Sequence, residues 1–122
     1  MVILLVEDDI SVQSCILKLL KADGMSVLTA SNGEAALEAS RNHPGSIELL
    51  LTDMTMPGMN GLELSKIVAA ERPGIKVVLM SGDSAVRAQS KVAGIPFLQK
   101  PFQLADLRQI LESVLGFTPG LR

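Results

Sequence analysis

The chain has one cysteine, one histidine, no tryptophan and no tyrosine. Cys15 on its own excludes an internal disulfide and a cysteine-based zinc site. His43 lies in Arg41-Asn42-His43-Pro44-Gly45, a loop signature with no further ligand nearby. Charge of one sign is lacking too: the net charge is −2, and Lys and Arg are scattered along the chain. Nothing resembles an electrostatic footprint for nucleic acid. No apolar run approaches the roughly 20 residues that cross a bilayer. Met1 to Val6 is too short for a signal peptide, and acids follow it. A soluble, cytoplasmic protein is expected, with no membrane insertion and no nucleic acid bound through this chain. Aromatics are only 2%, so a core must be built from Leu, Val, Ile, Ala and Met. Apolar residues make up 48% and mean hydropathy is +0.36, enough to exclude disorder. A length of 122 residues fits one domain.

The most informative stretch runs from Ile47 to Gly61. Its apolar run, broken only by Glu48, has no helical period and reads as a buried strand over Ile47–Thr52. Pro57, Gly58, Asn60 and Gly61 then punctuate a turn. Asp53 therefore stands at the carboxyl end of a buried strand. In an open parallel sheet that edge is where ligands bind.

The rest of the chain repeats the pattern. Val2–Val6 reads as a strand, followed by a helix through about Ala22 with Asp9 or Ser11 as its N-cap. Met25–Ala30 is a second strand. Ser31-Asn32-Gly33-Glu34 opens a second helix with the look of a capping box. After the third strand a helix spans Gly61 to about Glu71. Lys76–Met80 is the fourth strand, and a weakly helical stretch covers Ala85–Val92. Ile95–Leu98 is a short fifth strand. A last helix opens at Asp106 or the Pro101-Phe102 turn and runs to Leu115, with Leu104, Leu107, Ile110, Leu111 and Val114 facing inward. Apolar strands without a period of two, alternating with helices, imply an α/β doubly wound domain with a parallel sheet.

Four strand ends then carry residues able to do chemistry: Asp8 and Asp9, Asp53, Ser81 and Lys100. Each has a bland reading alone: Asp9 as a cap, Ser81 as a turn residue, Lys100 as a solvated lysine. Their joint placement on one sheet edge is what points to a site. Several carboxylates at one edge repel one another and call for a cation. Hard oxygen ligands suit Mg²⁺, which favours sites shared with phosphate. A carboxylate can also take a phosphoryl group as an acyl phosphate.

With these residues in view, the sequence resembles the receiver domain of two-component response regulators. The resemblance rests on Val6-Glu7-Asp8-Asp9, Asp53-Met54-Thr55-Met56-Pro57 with Gly61, Met80-Ser81-Gly82 and Lys100-Pro101-Phe102. It implies a flavodoxin-like (βα)₅ fold of sheet order 2-1-3-4-5, with the domain over residues 1–116 and a short tail over 117–122. By the same resemblance Asp53 is the phosphoacceptor, Asp8, Asp9 and Asp53 hold Mg²⁺ with the Thr55 backbone carbonyl, and Lys100 pairs with the phosphate, next to a cis bond to Pro101. Ser81 and Phe97 form the switch, and Thr55 and Asp83 tune dephosphorylation. Because Phe lacks a hydroxyl to hold it outward, Phe97 is expected to be mostly buried even without phosphate.

In the first helix, Ile16, Leu17 and Leu20 form the expected core stripe. Val12, Cys15 and Leu19 form a second, which with Ile10 reads either as a wide core face or as a docking surface. The implied partner is a histidine kinase or histidine phosphotransfer protein, with a weak homodimer left open. The polar helix around Arg87, Gln89 and Lys91 reads as solvated. No output domain is recognised, which suits a single-domain regulator or the C-terminal receiver of a hybrid histidine kinase. Two other readings compete: a Mg²⁺-dependent phosphatase working through an aspartyl phosphate, and a pseudo-receiver that binds partners without phosphate. The phosphatase would place a second acid two residues after its nucleophile, where this chain has Thr55. The pseudo-receiver would have lost an acid or the lysine, and none is lost. A flavin-binding flavodoxin is disfavoured by the lack of a Ser/Thr-rich loop after the first strand.

Overall fold

The computed structural model describes residues 1–116, so the expected tail over 117–122 lies outside the described residues. Five strands and five helices alternate: β1 (Val2–Val6), α1 (Ile10–Ala22), β2 (Ser26–Ala30), α2 (Gly33–Asn42), β3 (Leu49–Asp53), α3 (Gly61–Glu71), β4 (Lys76–Ser81), α4 (Ser84–Ala93), β5 (Phe97–Gln99) and α5 (Leu104–Leu115). All strand pairs are parallel, in the order β2-β1-β3-β4-β5, as expected. No helix among the described residues is long and apolar enough to cross a membrane.

The sheet separates two apolar layers, which explains why its strands lack alternation. Ile3, Leu5, Leu49 and Leu51 point to one face and meet Ile16 and Leu20 of α1 and Leu107 and Leu111 of α5. Leu4, Val6 and Leu50 point to the other and meet Ala36 and Leu37 of α2 and Leu64 and Val68 of α3. A strand covered on both faces needs apolar side chains at every position.

Several element boundaries shift by a residue or two, β5 for one spanning Phe97–Gln99 rather than Ile95–Leu98, and three of the differences bear on the site. The β3–β4 ladder runs on to Asp53 opposite Met80, so Asp53 is the last strand residue rather than the first loop residue. The weak helix is a full α4. The Asp83 carboxylate caps it by accepting from the Ala85 N–H at 2.9 Å, and Gly94 closes it in the left-handed conformation. Helix α5 starts earlier than Asp106, at Leu104, and the Asp106 carboxylate reaches back to accept from the Gln103 N–H at 2.9 Å. Leu104 is therefore in the first turn, where it is 49% exposed rather than inward.

The turn from β3 into α3 is held from several sides. The Thr52 hydroxyl donates to the Asp53 carbonyl at 3.0 Å, and the Gly61 N–H donates to the Met54 carbonyl at 2.8 Å. Asn60 and Glu63 cap α3 reciprocally. Helix α3 comes so close to the strand end that a Cβ on residue 61 would lie 2.4 Å from the Asp53 carbonyl oxygen and 2.9 Å from the Met54 Cα. Both neighbours are backbone, so neither can rotate away. Gly61→Ala is expected to lower stability by about 2 kcal/mol or more, the range for forced overpacking, read from the midpoint of urea unfolding; an unchanged midpoint would show that the close approach is not a constraint.

Candidate functional site

The carboxyl edge of the sheet gathers residues from four strand ends. β1 pairs with β3 so that Val6 is opposite Thr52, and the next residue of each strand, Glu7 and Asp53, therefore stand side by side. Glu7, Asp8 and Asp53 each bring a carboxylate oxygen within 4.8 Å of the others. Glu7 is fully buried and Asp53 is 6% exposed, whereas Asp8 faces solvent. From the end of β5, the Lys100 ammonium forms an ion pair with Glu7 and lies 3.4 Å from Asp53 Oδ2. The Lys100 N–H donates to the Ser81 carbonyl at 2.9 Å, which ties the lysine to β4, and the Lys100–Pro101 peptide is cis, as expected.

The trio corrects the expected set of acids. Asp9 is not in it. Its Oδ1 accepts from the Ser11 and Val12 N–H groups at 2.9 and 3.2 Å, so its carboxylate is spent on the N-terminus of α1, on the solvent side. Glu7 takes the place expected for it. The residue order alone does not separate the two, because it is the β1–β3 register of the assembled sheet that puts Glu7, not Asp9, beside Asp53.

The remaining expected residues have definite places. Ser81 is buried at the end of β4, and its Oγ accepts from the Asp83 N–H at 3.0 Å. Asp83 is exposed and serves as the cap of α4, and Thr55 is exposed in the loop after β3. Phe97 is mostly buried, as expected: its ring packs on the cluster of Met54, Leu79 and Val86, and the Arg87 guanidinium lies 5.9 Å from its centroid. Arg87 thus sits against an aromatic face rather than being merely solvated. Of the second stripe on α1, Val12 and Leu19 are partly buried against the core, Cys15 is exposed and Ile10 is 65% exposed. Val12, Cys15, Ile16, Gly82, Pro101 and Phe102 line a groove of about 650 Å³ that opens beside Lys100.

Burial pushes the Asp53 carboxyl up to about 7, reinforced by the hydrogen bond and charge of Glu7 and opposed by Lys100. Burial works against the Lys100 charge, but Glu7 and Asp53 outweigh it and hold the lysine above its usual pKa. Among the described residues the pocket is thus short of positive charge: one ammonium faces a cluster of three acids.

These observations agree with the comparisons with known proteins. The sequence matches the response regulator receiver domain over residues 3–112. The chain belongs to the receiver family of response regulators. The receiver is 37% identical over 117 residues to the response regulator receiver protein CpdR of Brucella abortus, covering 93% of this chain and 95% of that protein. It is 32% identical to the sensor kinase CckA of Brucella abortus over 93% of this chain, but spans only 12% of that protein. Among solved structures it resembles the receiver domain of a sensor histidine kinase from Pseudomonas aeruginosa, described with a magnesium ion in the active site cleft. That likeness has a TM-score of 0.80 and 25% identity, over 94% of this chain and 97% of that one. This chain is accordingly a two-component receiver whose acidic cluster is able to hold a metal ion.

The raised Asp53 pKa has a consequence for stability with a definite sign. The unfolded carboxyl loses its proton near 3.8 and the folded one near 7. Between those values the folded state holds the extra proton, so raising the pH removes stability, and the penalty is complete above 7. In Mg²⁺-free buffer at pH 8, Asp53→Asn is expected to be more stable than the wild type by about 1–2 kcal/mol, screened by water at the pocket mouth. The gap is expected to close as pH falls toward 4. Thermal melts across that range check it, and a gap that does not change with pH would contradict the raised pKa.

Proposed function

We propose that this receiver accepts a phosphoryl group on Asp53 from a phosphohistidine of a histidine kinase or histidine phosphotransfer protein in the cytoplasm, with Mg²⁺ as cofactor. The observation that carries this reading is the meeting of the Glu7, Asp8 and Asp53 carboxylates within 4.8 Å, with Lys100 3.4 Å from Asp53. Hard oxygen donors with one member open to water fit Mg²⁺, and the Thr55 backbone carbonyl belongs to the proposed ligand set. Bound Mg²⁺ supplies neutralisation of charge on the phosphoryl oxygens.

The chain's own residues supply the rest. An Asp53 carboxylate oxygen forms the bond to phosphorus. The phosphorus–nitrogen bond breaks, and its electron pair stays on the donor imidazole, which takes up a proton from solvent. Lys100 neutralises a phosphoryl oxygen from the β5 side, trading part of its pairing with Glu7 for the new charge. The Ser81 hydroxyl already accepts from Asp83, so its own proton is free to be donated to a phosphoryl oxygen. Movement of Ser81 toward Asp53 would be felt through β4 by Phe97, whose backbone pairs with Leu79. Thr55 and Asp83 flank the acyl phosphate and tune its hydrolysis.

The groove along α1 supports the docking reading for Val12 and Cys15, which line it, and Ile10 and Leu19 belong to the proposed surface as neighbours on the same helix. It is apolar, it opens beside Lys100, and a donor helix laid in it would bring its histidine to the pocket. Similarity over nearly all of the receiver protein CpdR supports the single-domain reading, and similarity to part of CckA, whose solved receiver is described as that of a hybrid histidine kinase, supports the hybrid-kinase reading. The phosphatase reading is weakened because Thr55, at the position of the required second acid, is exposed and carries only a hydroxyl.

Incubation with Mg²⁺ and acetyl phosphate is expected to add one phosphoryl group by intact mass. Asp53→Asn is expected to add none, and Asp8→Asn to label about tenfold more slowly or worse. Undiminished labelling of Asp53→Asn would sink the assignment. Rapid turnover of many phosphoesters would instead favour the phosphatase. Val12→Glu and Leu19→Glu are expected to abolish transfer from a phosphohistidine protein while leaving acetyl phosphate labelling intact. Equal loss of both activities would mean that the stripe is core.

A further inference from the structure

Gln13 closes the first turn of α1 and contributes no carboxylate, hydroxyl or charge to the pocket. Its side-chain amide nevertheless reaches the strand ends. Nε2 donates to the Glu7 carbonyl at 3.0 Å and to the Ala30 carbonyl at 3.2 Å. The Ala30 carbonyl also accepts the Glu7 N–H at 3.1 Å. One amide group therefore closes a ring around the backbone of Glu7, on the strand side and the loop side together. Both targets are carbonyl oxygens, so only the NH₂ end of the amide can face them.

The bond to the Glu7 carbonyl is the consequential one. That carbonyl belongs to the peptide plane joining Glu7 to Asp8, the two acids contributed by β1. The backbone torsions on either side of this plane set the direction of the buried Glu7 side chain relative to the exposed Asp8 side chain, so a held carbonyl keeps together the donors that meet beside Asp53. No other side chain among the described residues donates to either carbonyl. The backbone of α1 is anchored in turn, because the Gln13 N–H donates to the Asp9 carbonyl at 2.9 Å and Asp9 caps the helix.

We infer that Gln13 is a positioning residue for the cation: its amide fixes the peptide between Glu7 and Asp8 and thereby sets the Mg²⁺ affinity of the pocket. The inference rests on the reading of the acidic cluster as a Mg²⁺ site. Groups that orient ligands from behind typically change metal affinity by about 10–100-fold when removed. Gln13→Met keeps the length and apolar stem of the side chain but loses both donors. Gln13→Arg restores donors.

Calorimetric titration of the 122-residue chain with Mg²⁺ tests the assignment. Gln13→Met is expected to bind Mg²⁺ about tenfold more weakly or worse, and Gln13→Arg to recover most of that loss. Arg108→Ala controls for general destabilisation. It removes the guanidinium that donates to the buried Asp23 carboxylate at 2.9 and 3.2 Å, at the far end of α1, and is expected to melt earlier with unchanged Mg²⁺ affinity. In the wild type, the NMR signals of the Gln13 side-chain amide are expected to shift along the same Mg²⁺ titration curve as the Asp53 backbone amide, which decides the matter even if Gln13→Met does not fold. Wild-type affinity in a folded Gln13→Met variant, or Gln13 signals that do not move, would overturn the positioning role alone. Absence of Mg²⁺ binding by the wild type would overturn the Mg²⁺ reading of the cluster, and this role with it.

Discussion

A single lysine holds together a group of acids that would otherwise drive one another apart. Lys100 contacts Glu7 and Asp53 at the edge of the sheet, and both acids are almost removed from water. Burying a carboxylate is costly unless it is paired, and two beside one ammonium leave the pocket short of positive charge. The raised pKa of Asp53 is the direct expression of that shortage. The same shortage is what makes the pocket receptive to a divalent cation. A fully satisfied site would be more stable and chemically idle.

The sheet maintains this arrangement because it leaves little freedom at the strand ends. Parallel pairing puts Glu7 beside Asp53, and the extension of β3 along β4 makes Asp53 a strand residue with a fixed direction. The Asp53 carbonyl is pinned by the Thr52 hydroxyl and crowded by Gly61, so α3 starts at one place only. On the β1 side the Gln13 amide clasps the Glu7 backbone. Each constraint acts on backbone next to a functional side chain, and the carboxylates inherit their positions from it. Phe97 is placed in the same way, through the β4–β5 ladder, with its ring between a small apolar cluster and the Arg87 guanidinium.

Much of this was readable from residue order. The strands were legible as apolar runs because both faces of the sheet are covered, and Asp53, Asp8, Ser81 and Lys100 were legible as polar residues ending those runs. That Glu7 rather than Asp9 meets Asp53 has a clear cause. Consecutive acids look equivalent in a sequence, and only the inter-strand register tells which one extends the strand and which one turns away to cap α1. Leu104 was misplaced for a similar reason: helical spacing predicts a stripe, but not how far the first turn stands off the sheet. Gln13 is not legible in the sequence, because a glutamine on a helix gives no local sign that it reaches carbonyls at two strand ends.

By itself the amino-acid sequence determined the alternation of strand and helix, the parallel sheet and the identity of the residue carrying the central carboxylate. Those follow from local periodicity, from turn residues and from apolar runs that need cover on both faces. Tertiary structure alone decided which acids meet, which lysine contact balances them, how far the Asp53 carboxyl departs from ordinary behaviour and which amide steadies the strand end. These depend on distances between residues far apart in the chain, and such distances are set only when the strands take their register and the helices close over them.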